Sequence, residues 1–207
     1  MLKKTKRAVL IPGSFNPVTK AHLLMGEQAR SLFPDADVWF VPASSDYILK
    51  KTKNEAVFSE KDRYEMLKLC TRKRGFLLSN IEMRGVVSGK TYDTAAYFKN
   101  ELCYDEIIIC IGYDNLEQLK KWHRIAELIK EAKFLVFERN GQSICDCKEP
   151  LITNNAGIFT GTKSEETFGI SSTIARESIA KEDYERLSIM LEPEVVNYIV
   201  KMKEVQT

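Results

Sequence analysis

Residues 13–22, with the sequence GSFNPVTKAH, constrain the fold more than any other part of the chain. The apolar run before them, residues 8–11, is typical of a buried strand, and residues 23–29 after them are typical of a helix. The segment is therefore a strand-to-helix crossover that contains a glycine, a proline and hydroxyl side chains. Open α/β sheets bind ligands at such crossovers, where the amides of a helix N-terminus can hold a phosphate group.

Composition narrows the class of protein. The 207 residues fit a single domain, for which we expect a core over about residues 7–180 and a helical tail over about 181–207. A net charge of +2 argues against nucleic-acid binding. No stretch has the length of a membrane span, and Pro12 and Gly13 end the first apolar run too early for a signal sequence. We therefore expect a cytoplasmic protein with no membrane partner, and the sequence leaves open whether it forms a homo-oligomer.

The cysteines and histidines do not predict a metal or disulfide framework. Five cysteines are scattered along the chain, and an odd number argues against paired disulfides. Cys145 and Cys147 have no second Cys or His pair near them in the sequence, and the chain contains two histidines in all. These counts argue against a structural zinc site, and we expect reduced, non-catalytic thiols.

Predicted strands and helices alternate along the chain. Apolar runs predict strands at residues 7–12, 38–42, 76–78, 106–111, 133–137 and 157–161. Helices are predicted at residues 20–33, 59–72, 91–102, 122–132, 172–181 and 182–190, followed by a last helix near Pro193. This order predicts an α/β fold of Rossmann-like type, a doubly wound parallel sheet of five or six strands with C-terminal helices. Residues 43–57 and 139–156 are polar and interrupt the alternation, so we expect long loops there.

The residue types at the first crossover suit phosphate chemistry. Gly13 lets the backbone approach a phosphate closely because it has no Cβ. Thr19 and His22 are three residues apart near a helix start, so both project from one face and can donate hydrogen bonds to phosphate oxygens. Helix capping or packing is the simpler explanation for a single histidine in this position.

A second polar motif, ISSTIAR, occupies residues 170–176. Ser171, Ser172 and Thr173 can cap a helix that begins there, or can cradle a polyphosphate together with Arg176 one turn later. Capping is the simpler interpretation of this motif alone. Taken together with the first crossover, it predicts a triphosphate clamp.

The two motifs in this order resemble the nucleotidyltransferase superfamily, and within it the nicotinate/nicotinamide mononucleotide adenylyltransferases. Four further segments support the resemblance, which spans about residues 7–180: GYDNLEQLKKW from Gly112 to Trp122, TYDT from Thr91, RYEM from Arg63 and FERNG from Phe137. Thr19 stands where many members carry a histidine, and the bacterial Pro-Pro-His-Lys element after the second strand is absent. The preference for an acid or an amide acceptor therefore stays open.

The resemblance implies transfer of the adenylyl group of ATP to the 5′-phosphate of nicotinate or nicotinamide mononucleotide, with release of pyrophosphate. Mg²⁺ is expected to enter with the phosphates of ATP rather than in a protein cage. His22 would meet the α-phosphate as charge develops, and Thr19 with the backbone of Ser14 and Phe15 would hold the same phosphate. The resemblance makes His22, Thr19 and Arg176 the catalytic residues.

Further positions follow from the same resemblance. The ATP-binding residues that it implies, besides those just named, are Gly13, Gly112, Asp114, Ser171, Ser172 and Thr173. The mononucleotide-binding residues that it implies are Lys51, Thr91, Trp122 and Arg139. Asp114 suits a ribose hydroxyl or the cap of the following helix, and the indole of Trp122 suits stacking on a cationic pyridine ring.

Two other functions fit the same fold, namely a phosphopantetheine adenylyltransferase-like enzyme and a non-catalytic nucleotide-binding domain. The Trp122 element argues against the first, and the presence of Thr19, His22 and Arg176 together argues against the second. A dinucleotide-dependent oxidoreductase is excluded because no Gly-x-Gly-x-x-Gly follows the first strand.

Overall fold

A computed structural model describes residues 5–53, 57–138, 141–163 and 169–206. Six strands form one sheet in the order β3-β2-β1-β4-β5-β6, and every neighbouring pair is parallel. The strands are β1 Arg7–Gly13, β2 Ala36–Pro42, β3 Leu77–Leu78, β4 Glu106–Gly112, β5 Ala132–Glu138 and β6 Phe159–Lys163. The predicted doubly wound parallel sheet is confirmed, with six strands.

Helices connect the strands and follow the last one. They are α1 Lys20–Leu32, α2 Ser45–Thr52, α3 Glu60–Arg74, α4 Thr91–Asn100, α5 Leu116–Leu119, α6 Ile125–Glu131, α7 Pro150–Thr153, α8 Ser172–Ala180, α9 Tyr184–Met190 and α10 Pro193–Gln206. Short 3₁₀ turns occur at Tyr113–Asn115, Ile144–Asp146 and Ala156–Ile158. No helix within the described residues is long and apolar enough to cross a membrane.

The sheet is buried on both faces, which explains the continuous apolar runs of its central strands. In β1, Val9 and Ile11 belong to one apolar layer, whereas Ala8 and Leu10 belong to the other. The alternation follows from the two-residue period of a strand. Leu187 of α9 packs into the same layer as Val9, as does α10, so the helices at the end of the chain pack on one face of the sheet.

The topology places a switch point between β1 and β4. The chain moves from β1 outward to β2 and β3, and then returns to β4 on the other side of β1. The two strands are in register from the pair Arg7 and Glu106 to the pair Leu10 and Ile109, and they end at Gly13 and Gly112. Ligands of open α/β sheets bind at the carboxyl ends of strands at such a point.

The expectation of a loop over residues 43–57 is wrong for part of that segment, because α2 lies within it. Ser44 caps this helix by accepting a hydrogen bond from the backbone N–H of Tyr47 (3.1 Å), and Ile48 is buried beneath it. Lys53 ends the helix in the left-handed region, with φ of 61°. The polar composition of this segment gave no sign of the helix, because α2 is short and is held by the burial of a single residue, Ile48.

The helix predicted over residues 122–132 begins later, at Ile125. Arg124 precedes it with φ of 52°, which interrupts the chain between α5 and α6, and Trp122 lies in the connecting turn. Ala132, at the predicted helix end, is the first residue of β5. The strand predicted at 157–161 also starts later, at Phe159. The segment 139–156, expected to be a long loop, contains α7 and the 3₁₀ turn Ile144–Asp146, and a further 3₁₀ turn begins at Ala156.

Candidate active site

A cleft of about 380 Å³ opens at the carboxyl ends of β1 and β4, a volume suited to a small ligand. The structure brings both sequence motifs to this cleft. The predicted site residues that line it are Gly13, Ser14, Phe15, Thr19, His22, Lys51, Thr91, Gly112, Asp114, Trp122, Ser171, Ser172 and Thr173. Arg139, predicted to bind the mononucleotide, lies outside the described residues.

The imidazole of His22 is held at the N-terminus of α1. The backbone N–H of Thr19 donates to His22 Nδ1 at 3.0 Å, and the Thr19 hydroxyl lies 2.9 Å from the same nitrogen. Because Nδ1 accepts a hydrogen bond, the proton of the neutral ring lies on Nε2. The ring also meets the edge of Phe15, with 5.0 Å between centroids. These contacts fix both the tautomer and the orientation of the imidazole.

The loop before α1 is held in a strained conformation. Phe15 adopts φ of 45°, in the left-handed region, and its side chain is only 1% exposed. A non-glycine residue there costs about 1–3 kcal/mol, so surrounding contacts must hold it. Asn16 supplies one such contact, because its side-chain oxygen accepts a hydrogen bond from the buried N–H of Phe58 at 3.0 Å. A Cβ at Gly13 would lie 3.2 Å from the Phe15 ring, so glycine accommodates the packed ring.

The second motif forms the N-terminus of α8. Ser171 is the N-cap residue, and its hydroxyl accepts a hydrogen bond from the backbone N–H of Ile174 at 3.2 Å. Capping, the simpler interpretation of this motif, is therefore present in the structure. It coexists with the cleft, because Ser171, Ser172 and Thr173 also line its wall.

The two motifs are joined by direct hydrogen bonds. The hydroxyl of Ser172 donates to the backbone oxygen of Pro17 at 2.8 Å. Nη1 of Arg176 donates to the backbone oxygen of Asn16, also at 2.8 Å, and its Nη2 donates to the Thr173 hydroxyl at 3.2 Å. Arg176 is thus placed between the motifs, where it holds both against each other. Among the predicted ATP-binding residues, it is the one that does not line the cleft.

The end of β4 forms the opposite wall of the cleft. A Cβ at Gly112 would lie 2.6 Å from Oδ1 of Asp114, so only glycine lets the aspartate take this position. Asp114 is exposed and lies in the 3₁₀ turn, and the N-cap position of α5 belongs to Asn115.

Three cleft residues on the far side come from separate elements. Thr91 is the first residue of α4, Lys51 lies on α2, and Trp122 is half-buried in the turn after α5. Tyr47 of α2 also lines the cleft and packs on Gly89, where a Cβ would lie 3.1 Å from its ring. Thr52 and Glu82 line the cleft as well, so this side combines aromatic rings with one lysine, two threonines and one glutamate.

Sequence reasoning missed Glu82, a cleft residue that is only 4% exposed. The hydroxyl of Thr94 donates to its Oε1 at 2.7 Å. Burial raises the pKa of Glu82 to about 7, against the lowering effects of that hydrogen bond and of the Lys51 charge. No sequence signal distinguishes this glutamate from the chain's many exposed ones, because its burial depends on α2 and α4 closing over it.

Arg63 begins the RYEM segment, for which the sequence predicts no role in the site. Its side chain is fully buried, and its Nη1 donates to the backbone oxygens of Ser14 and Ala43, each at 2.8 Å. Its Nη2 donates to the hydroxyl of Ser45 at 3.2 Å. Burial lowers the pKa of Arg63, and the Glu60 carboxylate opposes that effect.

Within the described ranges, no three His, Cys, Asp or Glu side chains are grouped so that they could hold a metal ion. The five cysteines are free thiols. Burial raises the pKa of Cys70 and Cys110 to about 12, so both stay protonated and unreactive near neutral pH.

A parallel sheet with a switch-point cleft and two helix N-termini facing it defines a nucleotide-binding α/β protein. Residues 10–178 match the family model described as cytidylyltransferase-like, and the chain belongs to that family. A relative from Hydrogenobaculum, named as a probable nicotinate-nucleotide adenylyltransferase, is 31% identical over 91% of this chain and 93% of its own. The nicotinate-nucleotide adenylyltransferase of Bacillus subtilis is 28% identical over 83% and 85%. Within the larger family, the chain therefore belongs to the nicotinate-nucleotide adenylyltransferases.

Solved structures agree on the fold. The Plasmodium falciparum nicotinic acid mononucleotide adenylyltransferase complexed with APC superposes with a TM-score of 0.77 at 20% identity, over 96% of both chains. The same enzyme complexed with NaAD gives a TM-score of 0.76. The predicted resemblance to this family is confirmed.

Proposed function

We propose that this protein transfers the adenylyl group of ATP to the 5′-phosphate of nicotinate mononucleotide, giving the dinucleotide and pyrophosphate in NAD biosynthesis. Relatives that carry this activity in their names align with more than nine-tenths of the chain. Nicotinamide mononucleotide is the alternative acceptor, since the sequence pattern after β2 departs from the bacterial one.

The observation that carries the proposal is the joint between the two motifs. Ser172 and Arg176 of α8 bind backbone oxygens of the loop that leads into α1, so two helix N-termini meet at one cleft. Each terminus contributes about half a positive charge and several backbone N–H groups. A triphosphate spanning both termini would be held at each end.

At the α-phosphate we assign the central role to His22. An oxygen of the acceptor 5′-phosphate attacks the α-phosphorus, and the bond from that phosphorus to the bridging oxygen of the β-phosphate breaks. Nε2–H of His22 would donate to an α-phosphate oxygen as negative charge develops there. We assign to Thr19 the positioning of that ring through Nδ1, since its hydroxyl lies beside the imidazole. Chemistry of this kind needs no protein nucleophile.

The leaving pyrophosphate would stay with α8. Ser171, Ser172 and Thr173 supply hydroxyls and backbone N–H groups at the helix start, and Arg176 fixes that start against the first loop. We propose that Mg²⁺ arrives as MgATP, coordinated mainly by phosphate oxygens and water. In this arrangement hydroxyls and backbone amides of the protein stabilise the phosphate charge through hydrogen bonds, and the metal travels with the nucleotide.

The acceptor would lie on the side of the cleft formed by α2, α4 and the turn after α5. Trp122 is placed to stack on the pyridine ring, and Thr91 to bind its carboxylate or amide group. Lys51 adds a positive charge on that wall, which favours the acid acceptor. Asp114 would bind a ribose hydroxyl of ATP.

An acceptor panel tests the proposal. Purified protein is given MgATP with nicotinate mononucleotide, nicotinamide mononucleotide, phosphopantetheine or no acceptor, and pyrophosphate release is followed together with the product by mass spectrometry. We expect turnover with a pyridine mononucleotide and the highest kcat/KM with the acid. Turnover with phosphopantetheine alone, or with none of the acceptors, would refute the assignment.

A further inference from the structure

We propose that Arg63 is a positioning residue that builds both substrate sites from one buried guanidinium. The inference rests on the proposed function and extends it to a side chain that lies behind the cleft wall. The guanidinium joins two segments that are distant in the sequence: the loop at Ser14, and the short stretch from Ala43, just after β2, to Ser45 at the start of α2.

The first arm of Arg63 acts on the ATP side. Nη1 binds the carbonyl oxygen of Ser14, and the peptide that joins Ser14 to Phe15 is trans. In a trans peptide the N–H points opposite to the carbonyl, so Arg63 directs the N–H of Phe15 away from itself. Ser14 and Phe15 both line the cleft, and we infer that this N–H is presented to the α-phosphate. The same contact secures the left-handed backbone of Phe15.

The second arm acts on the acceptor side. Nη2 binds the hydroxyl of Ser45, the first residue of α2, and the Glu60 carboxylate accepts a hydrogen bond from the Ser45 backbone N–H at 2.5 Å. Helix α2 carries Tyr47 and Lys51 to the cleft wall. Arg63 and Glu60, one turn apart on α3, therefore fix where that wall begins.

The free energy lost by burying the Arg63 guanidinium indicates that this side chain serves the substrate sites and not packing alone. A fully buried arginine loses its hydration, and its Nε has no hydrogen-bond partner within the described residues. Packing alone would be satisfied by an apolar side chain of similar volume. A planar fork reaches three oxygens at fixed angles, whereas a lysine ammonium is a single point on a flexible stem.

Arg63→Lys keeps the charge and removes the fork. We expect its kcat to fall at least about tenfold, as for a small displacement of reacting groups, with KM raised for both substrates. Ser45→Ala removes the acceptor-side arm alone, so KM for the mononucleotide should rise about threefold while affinity for ATP stays the same. Adding Ser45→Ala to Arg63→Lys should have little further effect, because the arm is already lost.

The control is Arg74→Lys, at the other end of the same helix, where the arginine pairs with Glu27 and Glu192. Its melting temperature should fall, and its kinetic constants should not change. Calorimetric affinity for a non-hydrolysable ATP analogue is measured for every variant. It tests Arg63 independently of turnover, so a wild type inactive towards pyridine mononucleotides would refute the function and not this inference.

Two results would overturn the role of Arg63. The first is a folded Arg63→Lys protein whose kcat, both KM values and analogue affinity all lie within about twofold of wild type. If Arg63→Lys does not fold, the second applies, namely an acceptor KM for Ser45→Ala equal to that of wild type. An equal rise in both KM values for Ser45→Ala also contradicts the assignment of its arm to the acceptor side.

Discussion

The buried carboxyl of Glu82 makes the stability of this protein depend on pH in a calculable way. Its pKa is about 7 in the folded protein, against a reference of 4.5, chiefly because burial disfavours the charged form. A raised carboxyl pKa means that the folded state binds this proton more tightly than the unfolded state does. Ionisation of Glu82 therefore costs the folded protein no stability well below pH 4.5. The loss of stability grows as pH rises towards 7 and is constant above pH 7.

The perturbation that isolates this term is Glu82→Gln, which keeps the shape and still accepts the hydrogen bond from Thr94. Charging Glu82 in the folded state costs about 3 kcal/mol at pH 8, at about 1.4 kcal/mol per pH unit between the two pKa values. At pH 5 the same term is under about 1 kcal/mol. The variant should therefore be more stable than wild type at pH 8, by about 8 °C in melting temperature for a chain of this size, and nearly equal at pH 5.

The assay is thermal denaturation of substrate-free protein at pH 5, 6, 7 and 8. Glu65→Gln serves as the matched control, because Glu65 is a partly exposed glutamate paired with Lys68, and its difference from wild type should be small at every pH. Lys51→Met should enlarge the Glu82→Gln effect, since the lysine charge lowers the pKa of Glu82. A Glu82→Gln difference that is constant from pH 5 to pH 8, or that shrinks as pH rises, would refute the reasoning.

Four further changes test the proposed site. His22→Ala should lower kcat about 10²-fold or more through loss of a transition-state contact, with an unchanged circular dichroism spectrum; His123→Ala, at the other histidine, should keep full activity, and a fully active His22→Ala protein would contradict the assignment. Thr19→Val should lower kcat by less, about three- to tenfold, because the backbone N–H still holds Nδ1; a loss equal to that of His22→Ala would argue for a direct phosphate contact. Trp122→Ala should raise KM for the mononucleotide and leave KM for ATP unchanged, and the reverse pattern would move the indole to the ATP side. Gly112→Ala should weaken ATP affinity, measured by calorimetry, because its methyl group occupies the space of the neighbouring aspartate; wild-type affinity would show that this aspartate is not needed for ATP.

The sequence predicted most of what depends on local periodicity and on general topology. Val9 and Ile11 predict a strand, and the rule that ligands bind at the carboxyl ends of parallel strands predicted His22 and Asp114 at the ligand-binding edge of the sheet. Ser172 was expected there because its motif, taken together with the first crossover, predicts a triphosphate clamp. Glycine spacing and hydroxyl residues at helix starts made those positions recognisable. The same features explain why the lining of the cleft was predicted more completely than its supports.

What the sequence did not predict depends on contacts between distant residues. Arg63 meets Ser14 across 49 positions, and no spacing rule encodes that pair. The left-handed backbone at Arg124 carries no glycine to mark it, so the break before α6 was missed and Trp122 was expected inside a helix. Helix α2 was missed because its stability derives from Ile48 and from Glu60 rather than from a long amphipathic pattern.

The joint between Ser172 and Pro17 has a consequence for synthesis of the chain. Ser172 and Pro17 are 155 positions apart in the sequence, and Arg176 and Asn16, which are joined by the second hydrogen bond, are 160 apart. While the polypeptide is being translated, the first motif emerges early and must wait for almost the whole remaining chain before its partner exists. Loop closure over such a distance is slow and is rewarded only at the end of folding. Nucleotide binding should therefore appear as a late event in folding, and ATP in the cell would favour finished molecules over incomplete ones by mass action.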